Sequence, residues 1–363
     1  MRAAPCFSIA FLAAFGMASA APGAGRVSPF GREKTVQLTD FRPHLSDTES
    51  YGEQWRQGVW SKDGRFVIGV DFAITNQGVG DHKAAFRAEY IDSIGHKTEC
   101  NAELDSDDWS WTRSGFGLDF KKGKLSGDMQ GIEIEVRCKK LSMDLRFENR
   151  APPVRPGSGE LAFSDEGAYD MVFTSPRARV TGELRVGGKT IVVNGIGHAD
   201  HAWSDIAPHK ANRRWFRFEH IDERASLLLA ETEVPAEYGS SRHGWALLYT
   251  DRGRLMATAR VRFDFDGFIE DKRSEEGYRI PRRVRVIAQD GQRSLSGQLV
   301  MTQLLEVRDP TADWGSVVRF FARRFAKPKD YHIGCAFSLL LLDGSERMPF
   351  EGKGEYRFSF TNP

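Results

Sequence analysis

The segment between Gly195 and Trp215 holds the densest set of side chains in this chain that could perform chemistry. It contains three histidines, two aspartates and two tryptophans. A carboxyl group in an apolar cavity keeps its proton to higher pH and can deliver it to an alkene, and Asp200 is the candidate for that role. Aromatic faces such as those of Trp203 and Trp215 can stabilise the carbocation that results. This segment therefore holds the candidate catalytic or binding site.

Asp200 and His201 allow two interpretations. In the first, Asp200 is a general acid and His201 orients it. In the second, both are buried hydrogen-bond partners that tie two strands and a loop together. On an unbroken strand, His198 and Asp200 face one side and His201 faces the other, so the three cannot reach one metal ion without a bend. No metal-ligand spacing accompanies them, and we expect neither a metal nor another cofactor.

Other side chains of the segment are candidates for binding a ligand. His209 and Arg213 could hold an anionic head group at the mouth of a cavity, because a guanidinium presents several donors in one plane. The alternative is that they are solvated rim charges. The aromatic residues could likewise line a cavity or pack in a core. The candidate ligand-binding residues are His198, Trp203, His209, Arg213 and Trp215.

The elements that must position these residues are strands. From Phe66 to Ile74, large apolar residues occupy every second position, as in a strand with one buried face. Residues 181–186 and 190–194 flank Gly187-Gly188, a two-residue hairpin turn. Short strands with such turns are typical of β-sandwiches and barrels. Strand–helix alternation and nucleotide-binding or hydrolase motifs are missing from the sequence, which argues against Rossmann, TIM-barrel and α/β-hydrolase folds.

One segment near the C-terminus departs from the strand pattern. Between Trp314 and Phe325, apolar residues recur at helical spacing and arginines occupy other positions on the wheel. This pattern predicts a short basic amphipathic helix, which either closes the end of a barrel or docks on an anionic membrane surface. The residues that would dock are Trp314, Arg319, Phe321, Arg323 and Arg324.

The N-terminus has the features of a cleavable secretory signal. Arg2 precedes an apolar run over residues 7–15, and Ala18-Ser19-Ala20 is a suitable cleavage sequence. Residues 1–20 are therefore predicted to be a signal peptide and the mature chain to be periplasmic or secreted. The 51 basic and 50 acidic residues nearly balance, so we expect no nucleic-acid partner.

The mature chain keeps three cysteines in a compartment where disulfides persist. Cys100 and Cys138 both lie in strand-like segments of the first half and are the candidate disulfide. Spacing alone does not establish the pair. Cys335 would then be a buried free thiol.

The length of the mature chain indicates two domains. About 340 residues exceed the usual size of one hydrophobic core. We place the boundary just past the polar segment, which gives domains over residues 21–205 and 206–363.

Several motifs occur in a recognisable order. They are Tyr169 to Ser175, Arg179-Val180-Thr181-Gly182-Glu183-Leu184, Gly187-Gly188-Lys189, Val193-Asn194-Gly195 and Asp200-His201-x-Trp203. This order resembles the AttH-like and carotenoid 1,2-hydratase-like superfamily of tandem lipocalins. Pro208-His209-Lys210 with Arg213-Arg214-Trp215 is most similar to the fungal survival-factor-like branch of that superfamily.

The resemblance implies an all-β fold in which two lipocalin-like antiparallel β-barrels pack together. It also implies that the Asp-His-x-Trp motif lies near their junction. Members of the superfamily add water to a carotenoid double bond, catalyse cyclisations, or transfer lipids between membranes. Fold resemblance alone does not select among these activities.

Two functions follow from these features. The first is an exported protein that binds or transfers a hydrophobic ligand, such as a lipid, sphingolipid or isoprenoid, with peripheral contact to an anionic membrane. The alternative is an enzyme of the carotenoid hydratase or cyclase type, which protonates an isoprenoid or polyene from a buried carboxyl group.

Overall fold

The computed structural model describes residues 27–28, 30–77, 80–272, 274, 276–310 and 327–361. About two thirds of them lie in antiparallel strands. The exceptions include the short helix α1 (Pro208–Ala211) and three 3-10 turns, at Leu38–Phe41, Ser106–Asp108 and Ala236–Tyr238. The all-β prediction is confirmed.

The first half of the chain forms one sheet of thirteen strands. Its strands are β1 (Val27–Ser28), β2 (Gly52–Ser61), β3 (Phe66–Thr75), β4 (Lys83–Asp92), β5 (Lys97–Leu104), β6 (Ser110–Trp111), β7 (Phe116–Asp119), β8 (Gly123–Asp128), β9 (Gly131–Arg137), β10 (Leu141–Asn149), β11 (Glu160–Phe163), β12 (Ala168–Val186) and β13 (Lys189–Ser204). The main path runs β5-β4-β3-β2-β13-β12-β10-β9-β8-β7-β6, with β11 pairing to β12 and β1 to β11.

This first sheet curls on itself around an aromatic core. Trp55, Phe72, Phe86 and Phe120 are each at most 1% exposed. Their alternation with outward-facing residues is the period-two pattern of the sequence. A disulfide between Cys100 on β5 and Cys138, just after β9, connects strands far apart in the sheet order. Closing a loop of this length contributes about 4 kcal/mol in the chain-entropy model.

The second half forms a nine-stranded sheet and a separate two-stranded ribbon, β19 with β20. The strands are β14 (Arg214–Ile221), β15 (Ser226–Glu233), β16 (Arg242–Thr250), β17 (Gly253–Thr258), β18 (Val261–Asp266), β19 (Ile269–Glu270), β20 (Arg279–Ile280), β21 (Arg283–Asp290), β22 (Arg293–Arg308), β23 (Lys329–Asp343) and β24 (Glu346–Phe360). The order is β17-β16-β15-β14-β24-β23-β22-β21-β18. The Thr258 hydroxyl donates to the Gln289 carbonyl at 2.7 Å, which draws β17 at one edge towards β21.

Two curled antiparallel sheets in tandem match the predicted pair of lipocalin-like barrels. The first sheet ends at Ser204 and the second begins at Arg214. The predicted signal peptide and the amphipathic helix with its five docking residues lie outside the described residues. No helix in the described part of the chain is both long and apolar enough to cross a membrane.

The barrels pack through an apolar cluster formed by their outer faces. Phe173 of β12 meets Trp245 of β16 edge to face, with ring centroids 5.0 Å apart. Leu228 and Leu247 of the second barrel are fully buried in the same cluster. Arg177 of β12, only 1% exposed, donates to Asp251, to Ser226 and to the carbonyls of residues 222 and 223 across the interface. The two barrels therefore share one continuous contact.

Candidate functional site

Strand β13 positions the polar segment that the sequence singled out. It pairs with β12 on one side and with β2 on the other. A Cβ atom on Gly197 would lie 2.6 Å from the Phe147 ring and 2.8 Å from the Gly58 carbonyl. Glycine is required there because neighbouring chains approach so closely. The backbone beyond Gly197 is regular enough that successive side chains point to opposite faces.

The outer face of β13 carries Asp200 into a buried ion cluster between the barrels. Arg56 of β2 donates through Nη2 to Asp200 Oδ2 at 2.7 Å, and Arg217 of β14 donates to the same oxygen at 3.0 Å. Both guanidinium groups also donate to Glu219 Oε1, Arg56 at 3.2 Å. The four side chains are between 7% and 10% exposed. Two positive and two negative charges thus compensate one another across the junction.

His198 extends this cluster and lacks the hydrogen bonds that burial normally demands. Its side chain is 2% exposed and stacks on Trp60 with ring centroids 5.5 Å apart. Nε2 lies 3.5 Å from Asp200 Oδ2 and 3.9 Å from Glu219 Oε1. Neither ring nitrogen makes a hydrogen bond to any of the described residues. Buried polar groups are nearly always paired, so the two unpaired nitrogens of this ring are unusual.

A cavity of about 340 Å³ opens beside the ion cluster, between the two barrels. Trp60, Phe66 and Ile196 of the first barrel supply an apolar wall, while Arg217 and Glu219 of the second barrel supply charge. The volume is that of a small-molecule site. The cavity therefore combines a hydrophobic surface with side chains of the buried cluster.

A second polar group borders the cavity from β23 and β24. His332 is bonded to Asp330 and Glu355, each at 3.1 Å. Burial opposes a charged ring, but these hydrogen bonds outweigh it and raise the pKa of His332. Glu355 and Arg357 line the cavity itself. The charged residues of β14 and of its neighbour β24 thus form one continuous polar surface on the second barrel's side of the cavity.

His201 lies on the opposite face of β13, inside the first barrel, and does not contact Asp200. Its Nε2 is 2.6 Å from Glu53 Oε1, and its Nδ1 is 2.7 Å from the carbonyl oxygen of Asp40. His44 and Tyr51 also bond to Glu53. The prediction that His201 orients Asp200 is therefore wrong, because adjacent residues of a strand face opposite sides. His201 instead matches the alternative, a buried hydrogen-bond partner.

The pKa values within this interior group reflect burial and the shared hydrogen bonds. Desolvation raises the pKa of Glu53, but hydrogen bonds to His201 and His44 outweigh it and lower the pKa overall. Desolvation lowers the pKa of His201, against the opposing influence of Glu53. Among the described residues, His44, Glu53 and His201 form the group whose ligand atoms, all within 4.8 Å of one another, have the spacing of a metal site.

The remaining predicted ligand residues are dispersed. Trp203 stacks on His44 at 3.7 Å inside the first barrel. Trp215 faces Tyr169 at the barrel interface, and His209 lies in α1. Arg213 is paired with Glu233. None of these four residues lines the cavity described above, so of the five candidates only His198 joins the polar cluster beside it.

Sequence reasoning missed the charged partners Arg56 of β2 and Arg217 and Glu219 of β14, because no recognisable motif marks them. A usable signal was present, since Arg56 lies among the aromatic and apolar residues of β2 and Asp71 interrupts the apolar run of β3. A charge in a strand buried on both faces requires a partner. Burial raises the pKa of Asp71 to about 7, against the opposing fields of Arg56 and Arg87.

Both the sequence and the fold of this chain are similar to those of known proteins. A family model described as AttH-like matches residues 27–326. A protein from Nitrosomonas europaea described as an AttH has a similar structure, with a TM-score of 0.57 and 16% identity, covering 92% of this chain and 99% of that one. A search of the curated proteins returns no match to this sequence.

Two further solved structures share the architecture. CghA in complex with Sch210972 has a TM-score of 0.58 and 12% identity, covering 94% of this chain and 99% of its own. Kievitone hydratase from Nectria haematococca has a TM-score of 0.53 and 15% identity, covering 92% of this chain and 98% of its own. At these identities the similarity establishes the fold.

Proposed function

Since the chain belongs to the AttH-like family, we propose that it is an enzyme that transfers protons on a small hydrophobic substrate. The substrate would bind in the cavity between the barrels and undergo addition of water to a double bond or closure of a ring. This is the alternative that the sequence raised, with a different set of residues performing it.

The observation that carries this proposal is that Glu219 lines the cavity and that His198 lies directly beside Glu219. His198 Nε2 lies 3.9 Å from the Glu219 carboxylate. An imidazole without hydrogen bonds beside a carboxylate can accept a proton from water and return it to carbon. The pair thus replaces Asp200 as the proton-transferring unit, because Glu219 lines the cavity and Asp200 does not.

The reaction balances within this arrangement. In a hydration, a proton passes from the Glu219–His198 pair to one carbon of the double bond. Water then bonds to the other carbon and returns a proton to the pair, so that the net change is one added water. Arg56 and Arg217 hold Glu219 in place and stabilise the carboxylate that remains after the proton has left. Asp200 is then a positioning residue that fixes the two arginines.

The apolar wall of the cavity supports a hydrophobic substrate. Trp60, Phe66 and Ile196 contribute ring and alkyl surface next to the charged floor. Among proteins of the same fold, one is described as a kievitone hydratase and another is crystallised with Sch210972. These descriptions support a reaction on a small organic molecule in the present chain as well.

Lipid carriage, which the sequence placed first, has less support. The interiors of both barrels are filled by large side chains, including Trp55 and Phe72 in the first and Phe218 and Phe358 in the second. A carrier needs a dry cavity of lipid size, and filled barrels argue against one in either interior. A lipid recovered in stoichiometric amount from organic extracts of the purified protein would favour lipid carriage over the enzymatic function.

The enzymatic proposal is tested with kievitone and with a linear carotenoid as probes, in water enriched in oxygen-18. Hydration incorporates the label into the product, whereas cyclisation yields an isomer of unchanged mass, and mass spectrometry separates the two. We expect His198→Ala and Glu219→Gln each to reduce turnover at least about a hundredfold, the usual contribution of a general acid–base group.

The matched control is His96→Ala, an exposed histidine on the β4–β5 turn. It should keep full activity. Circular dichroism and the unfolding temperature establish that each variant is folded. Unchanged turnover in folded His198→Ala and Glu219→Gln proteins would contradict the proposal, as would probes that bind without reacting.

We also propose that the chain is exported. The signal-like residues 1–20 and the disulfide between Cys100 and Cys138 support an oxidising destination. Cell fractionation with N-terminal sequencing of the mature protein checks this. A cytoplasmic protein that retains Met1 would contradict it.

A further inference from the structure

A group of metal-ligand side chains lies inside the first barrel, apart from the cavity between the barrels. His44 comes from the segment before β2, Glu53 from the start of β2, and His201 from β13. Their ligand atoms all lie within 4.8 Å of one another. Glu53 and His201 are fully buried, and the His44 side chain is 29% exposed.

The hydrogen bonds of His201 fix which nitrogen faces the group. The backbone carbonyl of Asp40 can only accept a hydrogen bond, so His201 Nδ1, 2.7 Å away, carries a hydrogen and donates it. Nε2 is then directed at Glu53 Oε1, 2.6 Å away. A backbone carbonyl on the outer nitrogen is the arrangement that orients metal-binding histidines.

The three ligand atoms are placed so that they can share one cation. An imidazole with its hydrogen on Nδ1 has a lone pair on Nε2, directed at the carboxylate oxygen of Glu53. His44 Nδ1 approaches the same oxygen at 3.2 Å. A divalent ion accepts lone pairs from both imidazoles and the carboxylate together, in place of the hydrogens that otherwise join them.

We propose that His44, Glu53 and His201 bind a divalent metal ion of the zinc type. Two imidazole nitrogens and one carboxylate oxygen are a ligand set that zinc accepts, and water from the exposed side of His44 completes the coordination. Bonds of about 2.0–2.2 Å require side-chain shifts of under about 1 Å from the present spacing. The site revises the expectation from sequence that no metal binds.

Neighbouring side chains fix the orientation of the proposed ligands, as supporting contacts do at known metal sites. The Tyr51 hydroxyl donates to Glu53 Oε2, the other oxygen of the carboxylate. The His44 ring lies flat on Trp203, with centroids 3.7 Å apart and planes 5° from parallel. Such supporting contacts fix ligand orientation and raise affinity. A bound ion would staple the segment around the turn Leu38–Phe41 to the end of the barrel.

The test uses the full mature protein, freed of metal by dialysis against a chelator and titrated with Co²⁺ and then with Zn²⁺. We expect one equivalent of Co²⁺ to give a visible d–d absorption band that Zn²⁺ displaces. Zinc should also raise the unfolding temperature, because a ligand that binds only the folded state stabilises it. His44→Ala should weaken binding by at least about tenfold, and His44→Cys, which supplies another zinc ligand, should restore it.

His96→Ala is the matched control, since it removes an exposed histidine far from the group. It should bind Co²⁺ as the wild type does. The proposal is overturned if wild-type protein gives no such band, or if His44→Ala and His96→Ala bind equally tightly. Because none of these readouts involves turnover, they fail or succeed independently of the proposed enzymatic activity.

Discussion

Adjacent residues of β13 have different environments because a strand directs successive side chains to opposite faces. Asp200 joins Arg56 and Arg217 between the barrels, while His201 joins Glu53 inside the first barrel. Trp203 follows His201 inward and stacks on His44. The Asp-His-x-Trp motif therefore serves two separate sites, one on each side of the sheet.

Asp71 gives the residue-scale prediction. Desolvation raises its pKa to about 7 in the fold. A carboxyl group with a raised folded-state pKa stabilises the protein below its unfolded-state pKa, near 4, and loses that stabilisation as the pH rises towards 7. Asp71→Asn should therefore be more stable than wild type at pH 8, by up to about 4 kcal/mol, with the difference vanishing at pH 4.

Urea unfolding of both proteins over this pH range measures the difference. Taking the difference removes the contribution of other carboxyl groups, such as Asp330, whose pKa its histidine partner lowers to about 2 against the effect of burial. The exposed Asp81 supplies the control Asp81→Asn, which should track wild type. A gap between Asp71→Asn and wild type that is constant with pH would contradict the buried, titrating carboxyl.

At the scale of elements, the long strands β12 and β13 connect the two barrels. Both strands pair within the first sheet. Their outer faces carry residues that contact the second barrel. Arg177 of β12 is the clearest case, because its guanidinium reaches Asp251, Ser226 and two backbone carbonyls of the β14–β15 turn. A single side chain thus satisfies four acceptors across the interface.

Arg177→Met should destabilise the protein by about 2–4 kcal/mol. The substitution preserves much of the apolar stem but leaves buried acceptors without donors. Chemical denaturation measures the change. Arg179→Met, at an exposed position two residues along the same strand, is the control and should change stability by less than about 0.5 kcal/mol. Equal effects from the two variants would show that the interface does not depend on the guanidinium.

At the scale of the whole molecule, the barrels behave as one cooperative unit because each covers apolar surface of the other. Leu228, Trp245 and Leu247 of the second barrel are at most 1% exposed, against Met171 and Phe173 of the first. This interface also creates the cavity, since neither barrel alone has both of its walls. Stability and the proposed activity are therefore linked through the junction.

The expected consequence is a single unfolding transition. Calorimetry should give equal calorimetric and van't Hoff enthalpies, as for a two-state protein. The second half alone, residues 206–363, should expose the apolar face of β15 and β16 and bind a hydrophobic dye or aggregate. Two separable transitions in the intact chain would contradict this account.

The sequence was sufficient to predict the all-β class and, through the family resemblance, the tandem architecture. The alternation from Phe66 to Ile74 specifies a strand because side chains repeat with period two, and Gly187-Gly188 specifies a hairpin because glycine tolerates positive φ. The order of motifs around Asp200 identified tandem barrels. The split between His198 with Asp200 and His201 also followed from strand geometry alone.

The partners in each site depended on the tertiary structure. Arg217 and Glu219 come from the second barrel, and Glu53 and His44 lie about 150 residues before His201. No local spacing connects residues so distant, because side chains meet only where the sheet register and the packing of two barrels bring them together. The sequence therefore determined which elements form and which way their side chains face, and the packing of those elements decided which side chains could act together.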